Sequence, residues 1–121
     1  PILNAQNRTR FAIIGSSCTL NITNLVIQNG YSYSGGGSVV NYGALVLDRV
    51  VFDGSETEVS GGAIMSYGSV YARRSAFRNG GAGDNGGVIC SSGDASTVVI
   101  VDSDFKDLYA GASGGVLQMI H

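Results

Sequence analysis

The sequence predicts an all-β protein, a parallel β-solenoid (β-helix) with about 25 residues in each coil. The first observation is a repeat of paired glycines, which begin at Gly36, Gly61, Gly86 and Gly114. The second is a large apolar residue at the same distance before each pair, namely Ile27, Phe52, Phe77 and Phe105. The third is that glycines and polar turns interrupt every apolar run, which leaves no segment suited to an amphipathic helix.

Each repeat is predicted to contain short strands. Segments 20–23, 45–48 and 98–101 are rich in β-branched residues and partly alternate, which is typical of strands. Stacked coils pair their backbones about 4.8 Å apart and bury apolar side chains that a single coil could not bury. The predicted inward ladders are Leu20-Leu45-Val70-Val98, Ile22-Leu47-Ala72-Ile100, Ile27-Phe52-Phe77-Phe105 and Val39-Ile64-Ile89-Leu117.

The 121 residues are predicted to form a single β-solenoid domain. A partial N-terminal coil, 1–19, precedes four full coils at 20–44, 45–69, 70–97 and 98–121, the third of which carries an insertion near residues 94–97. Neither end shows the polar cap that solenoids use to protect open strand edges. We therefore expect the chain to be a fragment of a longer solenoid, with further coils or copies of itself against its ends.

Turn residues are predicted at the corners of the coil. Glycines are expected where φ is positive or where a side chain would clash with the next coil. These pairs are Gly36-Gly37, Gly61-Gly62, Gly86-Gly87 and Gly114-Gly115. Asn29, Asn79 and Asp107 lie two residues after the large apolar position, and residues of this type favour the left-handed conformation.

The charged residues are predicted to lie on solvated faces of the solenoid. Opposite charges fall on adjacent coils, where each pair stabilises the register by about 0.2–1 kcal/mol. The predicted pairs are Asp48 with Arg73, Asp53 with Arg78, and Arg74 with Asp102. A net charge of −2 argues against nucleic acid as a partner. The absence of a long apolar run argues against direct membrane insertion.

Cys18 and Cys90 lie about three coils apart in this register, roughly 14 Å, so no disulfide is expected between them. Two triplets, Asn7-Arg8-Thr9 and Asn21-Ile22-Thr23, match the acceptor pattern for N-glycosylation. Asn7 and Asn21 would be modified only if a eukaryotic cell secreted the chain.

Catalytic residues, metal ligands and cofactors are not predicted. The nine acidic residues are scattered, whereas polysaccharide lyases and hydrolases need clustered carboxylates. The only histidine is His121 at the C-terminal position. Residues 83–86 suggest a calcium loop but lack a full set of oxygen ligands, and they are equally explained as a turn.

One set of residues suggests a contact surface. Val46, Tyr71, Val99 and Val101 are predicted to point outward and to form an apolar stripe. Tyr42 is predicted to stack on Tyr67, and further tyrosines lie in the turn at 31–33. These residues either turn inward at local kinks, are covered by neighbouring segments of the same protein, or bind a protein or a glycan.

The sequence Gly61-Gly62-Ala63-Ile64 resembles the GGA[ILV] half of the repeats in chlamydial-type polymorphic outer membrane proteins. Residues 36–39, 86–89 and 114–117 are variants of it, and Phe77-Arg78-Asn79 approximates the companion FxxN half. The resemblance covers residues 20–121. It implies a right-handed β-helix in an extracellular or surface-exposed region, often adhesive, and it transfers no active-site residues.

These observations favour a non-enzymatic structural or adhesive β-helix segment of an extracellular or cell-surface protein. A variant of this hypothesis is a building block whose open ends stack into a filament. The alternative is a fragment of a carbohydrate-active β-helix, similar to polysaccharide lyases or hydrolases, whose catalytic residues lie elsewhere.

Overall fold

The structure of the protein, a computed structural model, describes residues 2–93, 96–112 and 117–120. It confirms the predicted parallel β-solenoid of about four turns. The described residues form strands and turns without any helix, and their strand pairings are all parallel. Leu45 pairs with Leu20 on one side and with Val70 on the other, which is the predicted spacing.

The strands of the described chain belong to two hydrogen-bonded sheets. One sheet contains β2, Ala12–Ile14; β5, Val39–Asn41; β8, Ile64–Ser66; β11, Ile89–Ser92; and β14, Leu117–Ile120. The other contains β1, Ile2–Asn4; β3, Thr19–Gln28; β4, Tyr31–Ser32; β6, Ala44–Asp53; β7, Glu56–Thr57; β9, Ser69–Arg73; β10, Ala76–Ala82; β12, Thr97–Val101; and β13, Asp104–Ala110.

The larger sheet bends around two sides of the coil, because β3 and β6 each continue through a corner. At this corner Asn24, Arg49, Arg74 and Asp102 all have a positive φ, between 48° and 57°. This ladder of left-handed residues was not predicted, since arginine adopts that conformation less often than asparagine or aspartate. We call the part before the corner face A (19–23, 44–48, β9 and β12) and the part between this corner and the next one face B (β1, 25–28, 50–53, 76–78 and 104–106). The smaller sheet is face C.

A second corner follows face B, where the sequence predicted left-handed residues. Asn29, Asn79 and Asp107 have φ values of 56°, 54° and 55°, which confirms the prediction. Gly54 occupies the equivalent position in the intervening coil with φ of 80°. Asn79 Nδ2 also donates a hydrogen bond to Asp53 Oδ1 over 3.0 Å, which connects two adjacent coils at this corner.

The two members of each glycine pair have different roles. The first member has a positive φ: 62° at Gly36, 71° at Gly61 and 61° at Gly86. At the second, a Cβ on Gly37 would collide with the Gly62 carbonyl oxygen of the next coil, and one on Gly62 would collide with that of Gly87. Both predicted reasons for glycine are therefore present, one at each position. Gly114 and Gly115 lie outside the described residues.

The core contains the predicted ladders. Phe52 and Phe77 are fully buried, and the rings of Phe52, Phe77 and Phe105 stack in sequence at centroid distances of 5.1 Å. The ladder members Val98, Ile100 and Phe105 are only partly buried. Leu117 was predicted to be an inward core residue, yet it is 37% exposed. These residues belong to the last described coil, which packs against another described coil on one side only.

A polar ladder, which the apolar pattern did not predict, lies inside face C. Asn41 and Ser66 are fully buried, and Asn41 Nδ2 donates to Ser66 Oγ over 3.1 Å and to the Ser69 carbonyl over 2.8 Å. Asn41 Oδ1 accepts the N–H of Gly43 over 3.0 Å. The ladder therefore satisfies backbone groups at the turn into face A. In the next coil, buried Ser91 Oγ has no partner among the described residues.

The outward side of face C is largely covered. Val40 and Cys90 are buried although they alternate with the inward residues, because the glycine turns at 34–36 and 59–61 fold against this side. Burial raises the pKa of the Cys90 thiol. Cys18 is exposed, and neither cysteine forms a disulfide within the described chain.

The charge pairs differ from the prediction at one position. Asp48 forms ion pairs with Arg73 at 3.5 Å and with Arg74 at 2.7 Å, and Asp53 pairs with Arg78 at 3.4 Å. Arg74 was expected to pair with Asp102. Instead, Arg74 Nε and Nη2 both donate to Asp48, and Asp102 contributes only a longer-range attraction.

The Asp48 cluster makes the stability of the protein dependent on pH. The hydrogen bond from Arg74 holds the pKa of Asp48 below its ordinary value. Its stabilising effect is therefore complete above the unfolded pKa of about 3.9 and is lost as the pH falls through the lower folded value. We expect Asp48→Asn to be destabilising at neutral pH, and the difference from the unmodified protein to be smaller at an acid pH below the unfolded pKa of Asp48.

Urea unfolding at both pH values measures this difference. Asp104→Asn is the matched control, since Asp104 is exposed and forms no ion pair within the described chain. It should change the unfolding free energy by less than about 0.5 kcal/mol. A penalty for Asp48→Asn that is the same in acid as at neutral pH would contradict this role for the carboxylate.

Candidate functional site

A groove of about 540 Å³ lies between the first, partial coil and the coil that follows it. It is lined by residues 8–13 on one side and by residues 31–34 on the other. Its volume is within the range of about 300–1,000 Å³ that is typical of small-molecule sites. The two walls are joined by backbone hydrogen bonds, such as that from the Tyr31 N–H to the Thr9 carbonyl at 3.0 Å. We call this concavity the arginine groove.

Arg10 is held rigidly in this groove. Its Nε donates to the carbonyl oxygens of Gly35 at 3.1 Å and Gly36 at 3.0 Å, and its Nη2 donates to Ser34 Oγ at 2.6 Å and again to Gly35. The side chain thereby fastens the glycine turn to the first coil. These partners are neutral, so the positive charge of Arg10 is not balanced by any acid among the described residues.

Arg8 lines the same groove and is exposed. Its side chain makes no hydrogen bond or ion pair with the described part of the chain. The four arginines outside the groove differ in this respect, since each of them pairs with Asp48 or Asp53. The arginine groove therefore contains two guanidinium groups without acid partners, side by side with aromatic rings.

Two tyrosines form the opposite wall. Tyr31 and Tyr33 pack edge to face, with ring centroids 5.4 Å apart. The Tyr31 hydroxyl donates to Glu58 Oε1 over 2.6 Å, and this hydrogen bond is the main cause that raises the pKa of Tyr31 to about 12. Tyr33 is 73% exposed. One ring is thus ordered by the next coil, and it supports a second ring that is free to contact a ligand.

A second groove, of about 280 Å³, continues from the first and shares Arg10, Ile13 and Ser34 with it. Tyr42 and Tyr67 line this groove. Their rings stack in parallel at 5.0 Å, which confirms the predicted stacking, and they are 49% and 43% exposed. The aromatic surface therefore extends along two coils, beside an immobilised arginine.

The predicted apolar stripe is on face A, apart from the tyrosine grooves. Val46, Tyr71 and Val99 pair in one row across neighbouring strands, with Val46 half-buried and the other two exposed. Val101 lies in a neighbouring row, directly beside Arg73. The predicted contact residues thus form two separate surfaces, and neither groove contains a residue of the stripe.

Both glycosylation acceptor residues are exposed. Asn21 points outward from face A in the row that contains Val46, and Asn7 lies in a turn of the first coil with φ of 57°. Their positions leave the side-chain amides accessible to modification.

The arginines of the groove were not predicted as site residues. Arg8 and Arg10 belong to the segment that the sequence indicated only as an incomplete coil, which precedes the landmarks that define the repeat. A signal was available in the charge distribution, because the first 47 residues contain two arginines and no aspartate or glutamate. Their proximity to Tyr31 and Tyr33 depends on how the first two coils stack.

The described residues show no sign of a metal site or of a membrane-spanning helix. Within 2–93, 96–112 and 117–120, no three His, Cys, Asp or Glu side chains come together as metal ligands. No described segment is a helix long and apolar enough to cross a membrane. Comparison of the chain with protein-family models, with curated proteins and with solved structures finds no match.

Proposed function

We propose that this protein is a non-enzymatic structural and adhesive β-helix segment of an extracellular or cell-surface protein, and that its lateral grooves bind glycans. The observation that carries this proposal is the arginine groove, where the exposed ring of Tyr33 lies beside two arginines that have no acid partner in the described part of the chain. Aromatic faces pack against the apolar faces of sugar rings, while charged and hydroxyl groups bond to sugar oxygens.

The scaffold suits this function because it holds the groove residues in place. Tyr31 lies in β4, which is paired with β7, and Tyr42 directly follows β5. Parallel ladders and cross-coil hydrogen bonds support both positions, so little conformational entropy is lost when a ligand binds. Binding residues positioned by a rigid scaffold are a common arrangement in proteins.

The proposed location is supported by the repeat sequence. Residues 61–64 and their variants resemble repeats of polymorphic outer membrane proteins, in which a right-handed β-helix is displayed at a cell surface. In this chain the described glycines of the repeat lie at corners of the coil.

The strand edges favour a second, compatible role in assembly. Ile2, Leu3 and Ile13 are exposed in strands that have a neighbour on one side only within the described chain. We propose that further coils or another copy of the chain pair with such edges. Repeated pairing between copies of the chain would produce filaments. Sedimentation over a concentration series, with electron microscopy, tests this role. Regular rods would support it, and a monomer at every concentration would reject pairing between copies.

Calorimetric titration with a panel of neutral and acidic oligosaccharides tests the binding function. We expect at least one saccharide to bind, and the double variant Tyr33→Ala/Tyr42→Ala to lose most of that affinity. Tyr71→Ala is the matched control. Tyr71 is 41% exposed, close to the 49% of Tyr42, but it lies on face A. If Tyr71→Ala alone abolishes binding, the stripe is the contact surface and the grooves are not.

A carbohydrate-active enzyme would shorten its polysaccharide substrate, whereas a binding protein would leave the polysaccharide unchanged. Incubation of the protein with each polysaccharide, followed by chromatography of the sugars, would show chain shortening if the alternative were correct. Binding without any change in chain length supports the non-enzymatic function.

A further inference from the structure

We infer that the arginine groove selects an acidic saccharide, with its carboxylate or sulfate group facing Arg8 and Arg10 and a sugar ring against Tyr33. This inference rests on the proposed function and narrows it to one class of glycan. The groove holds enough space for a short oligosaccharide, at about 540 Å³.

The charge distribution is the first reason. Four of the six arginines neutralise Asp48 or Asp53 on faces A and B, whereas Arg8 and Arg10, which are separated by one residue, have no acid partner in the described chain. Glu58, which holds the Tyr31 hydroxyl, does not line the groove. A local positive site thus lies on a protein whose net charge is −2.

The hydrogen bonding of Arg10 is the second reason. A guanidinium group has N–H donors on three nitrogens, and in Arg10 the Nε and Nη2 groups are bound to Ser34, Gly35 and Gly36. Nη1 has no partner among the described residues. The side chain is therefore fixed in place while one nitrogen remains free to donate, so an anion can be bound without further ordering of Arg10.

The aromatic wall is the third reason, and it distinguishes a saccharide from a simple anion. Tyr33 exposes most of its ring and is supported edge-on by Tyr31. Ser34 adds a hydroxyl group on the same wall. Nucleic acid is less suited to this site, because its recognition relies on an extended basic stripe and two arginines do not form one.

Matched probes test the inference by calorimetric titration. One pair is a galacturonate oligosaccharide and its fully methyl-esterified form; the other is a sulfated and an unsulfated maltooligosaccharide. We expect at least one acidic probe to bind at least about tenfold more tightly than its neutral partner, with affinity falling as salt is added. The pair that shows the difference identifies carboxylate or sulfate as the preferred group.

The decisive variant is Arg8→Gln, since the Arg8 side chain has no hydrogen bond or ion pair to lose within the described chain. It should weaken binding of the acidic probe by about tenfold and leave binding of the neutral probe unchanged. Arg78→Gln, which removes a charge that pairs with Asp53 on face B, is the control and should change neither affinity.

The remaining outcomes separate this inference from the proposed function. Equal affinity for acidic and neutral probes, or no effect of Arg8→Gln, would overturn the inference while glycan binding itself stands. A short single-stranded oligonucleotide that binds as tightly as the acidic saccharide would also overturn it. Failure of every saccharide to bind would reject both.

Discussion

Phe77→Ala is expected to lower the free energy of unfolding by about 3–5 kcal/mol. Phe77 is 1% exposed, and its ring stacks on Phe52 and on Phe105, each at 5.1 Å. Truncation would remove both stacking contacts and leave a cavity that the paired backbones of three coils cannot close. Urea denaturation followed by circular dichroism measures the loss of unfolding free energy. The comparison holds if the variant and the unmodified protein have similar m values.

Phe105→Ala is the control for this prediction. Phe105 is only partly buried and stacks on a single ring in the described chain, so its truncation should cost clearly less than that of Phe77. A loss below about 1 kcal/mol for Phe77→Ala, or equal losses for the two variants, would reject the phenylalanine ladder as the centre of the core.

Gly62→Ala is expected to destabilise the protein by about 3 kcal/mol, at the upper end of the range for overpacking. A Cβ at this position would collide with the Gly87 carbonyl oxygen and would lie 2.7 Å from that of Gly81. Both atoms belong to the backbone of the adjacent coil, so no side-chain rotation can relieve the contact. The two coils would have to separate locally, which breaks hydrogen bonds such as that from the Gly62 N–H to the Gly86 carbonyl.

Gly15→Ala provides the same chemical change where space is available. The nearest atom to a Cβ there is Cys18 Sγ at 3.5 Å, an ordinary contact, and the backbone φ is outside the left-handed region. This variant should be neutral or more stable by up to about 1 kcal/mol, because alanine restricts the unfolded chain. Thermal unfolding of both variants compares them directly. Equal stability of the two would show that the close approach at Gly62 is unimportant.

The sequence was sufficient for features that repeat from coil to coil. Its period aligned Phe52 with Phe77 and Tyr42 with Tyr67, and the structure has both pairs stacked. It also predicted left-handed conformations at Asn29 and Asn79. These features could be derived because parallel coils stack with equivalent positions adjacent, so alignment of the repeats directly specifies which residues are neighbours.

Side-chain geometry within this framework required the structure. Arg74 was aligned with Asp102, yet it binds Asp48, since a long flexible side chain can reach a carboxylate on either neighbouring coil. Alternation placed Cys90 on the outer side of face C, but a turn folds over that side and buries it. Such contacts depend on the path of turns, which the strand pattern does not specify.

The sequence by itself determined the solenoid, its period and most of its core, whereas only the tertiary structure decided the candidate site. Arg8 and Arg10 come from an incomplete coil, and the ladder of Tyr31 continues with Glu56 and Gly81 in the next two coils. The landmarks from which the repeat was aligned begin after residue 19, so the alignment did not include the two arginines. The arginines meet Tyr31 and Tyr33 because the first coil stacks on the second, which brings residues more than twenty positions apart into one groove.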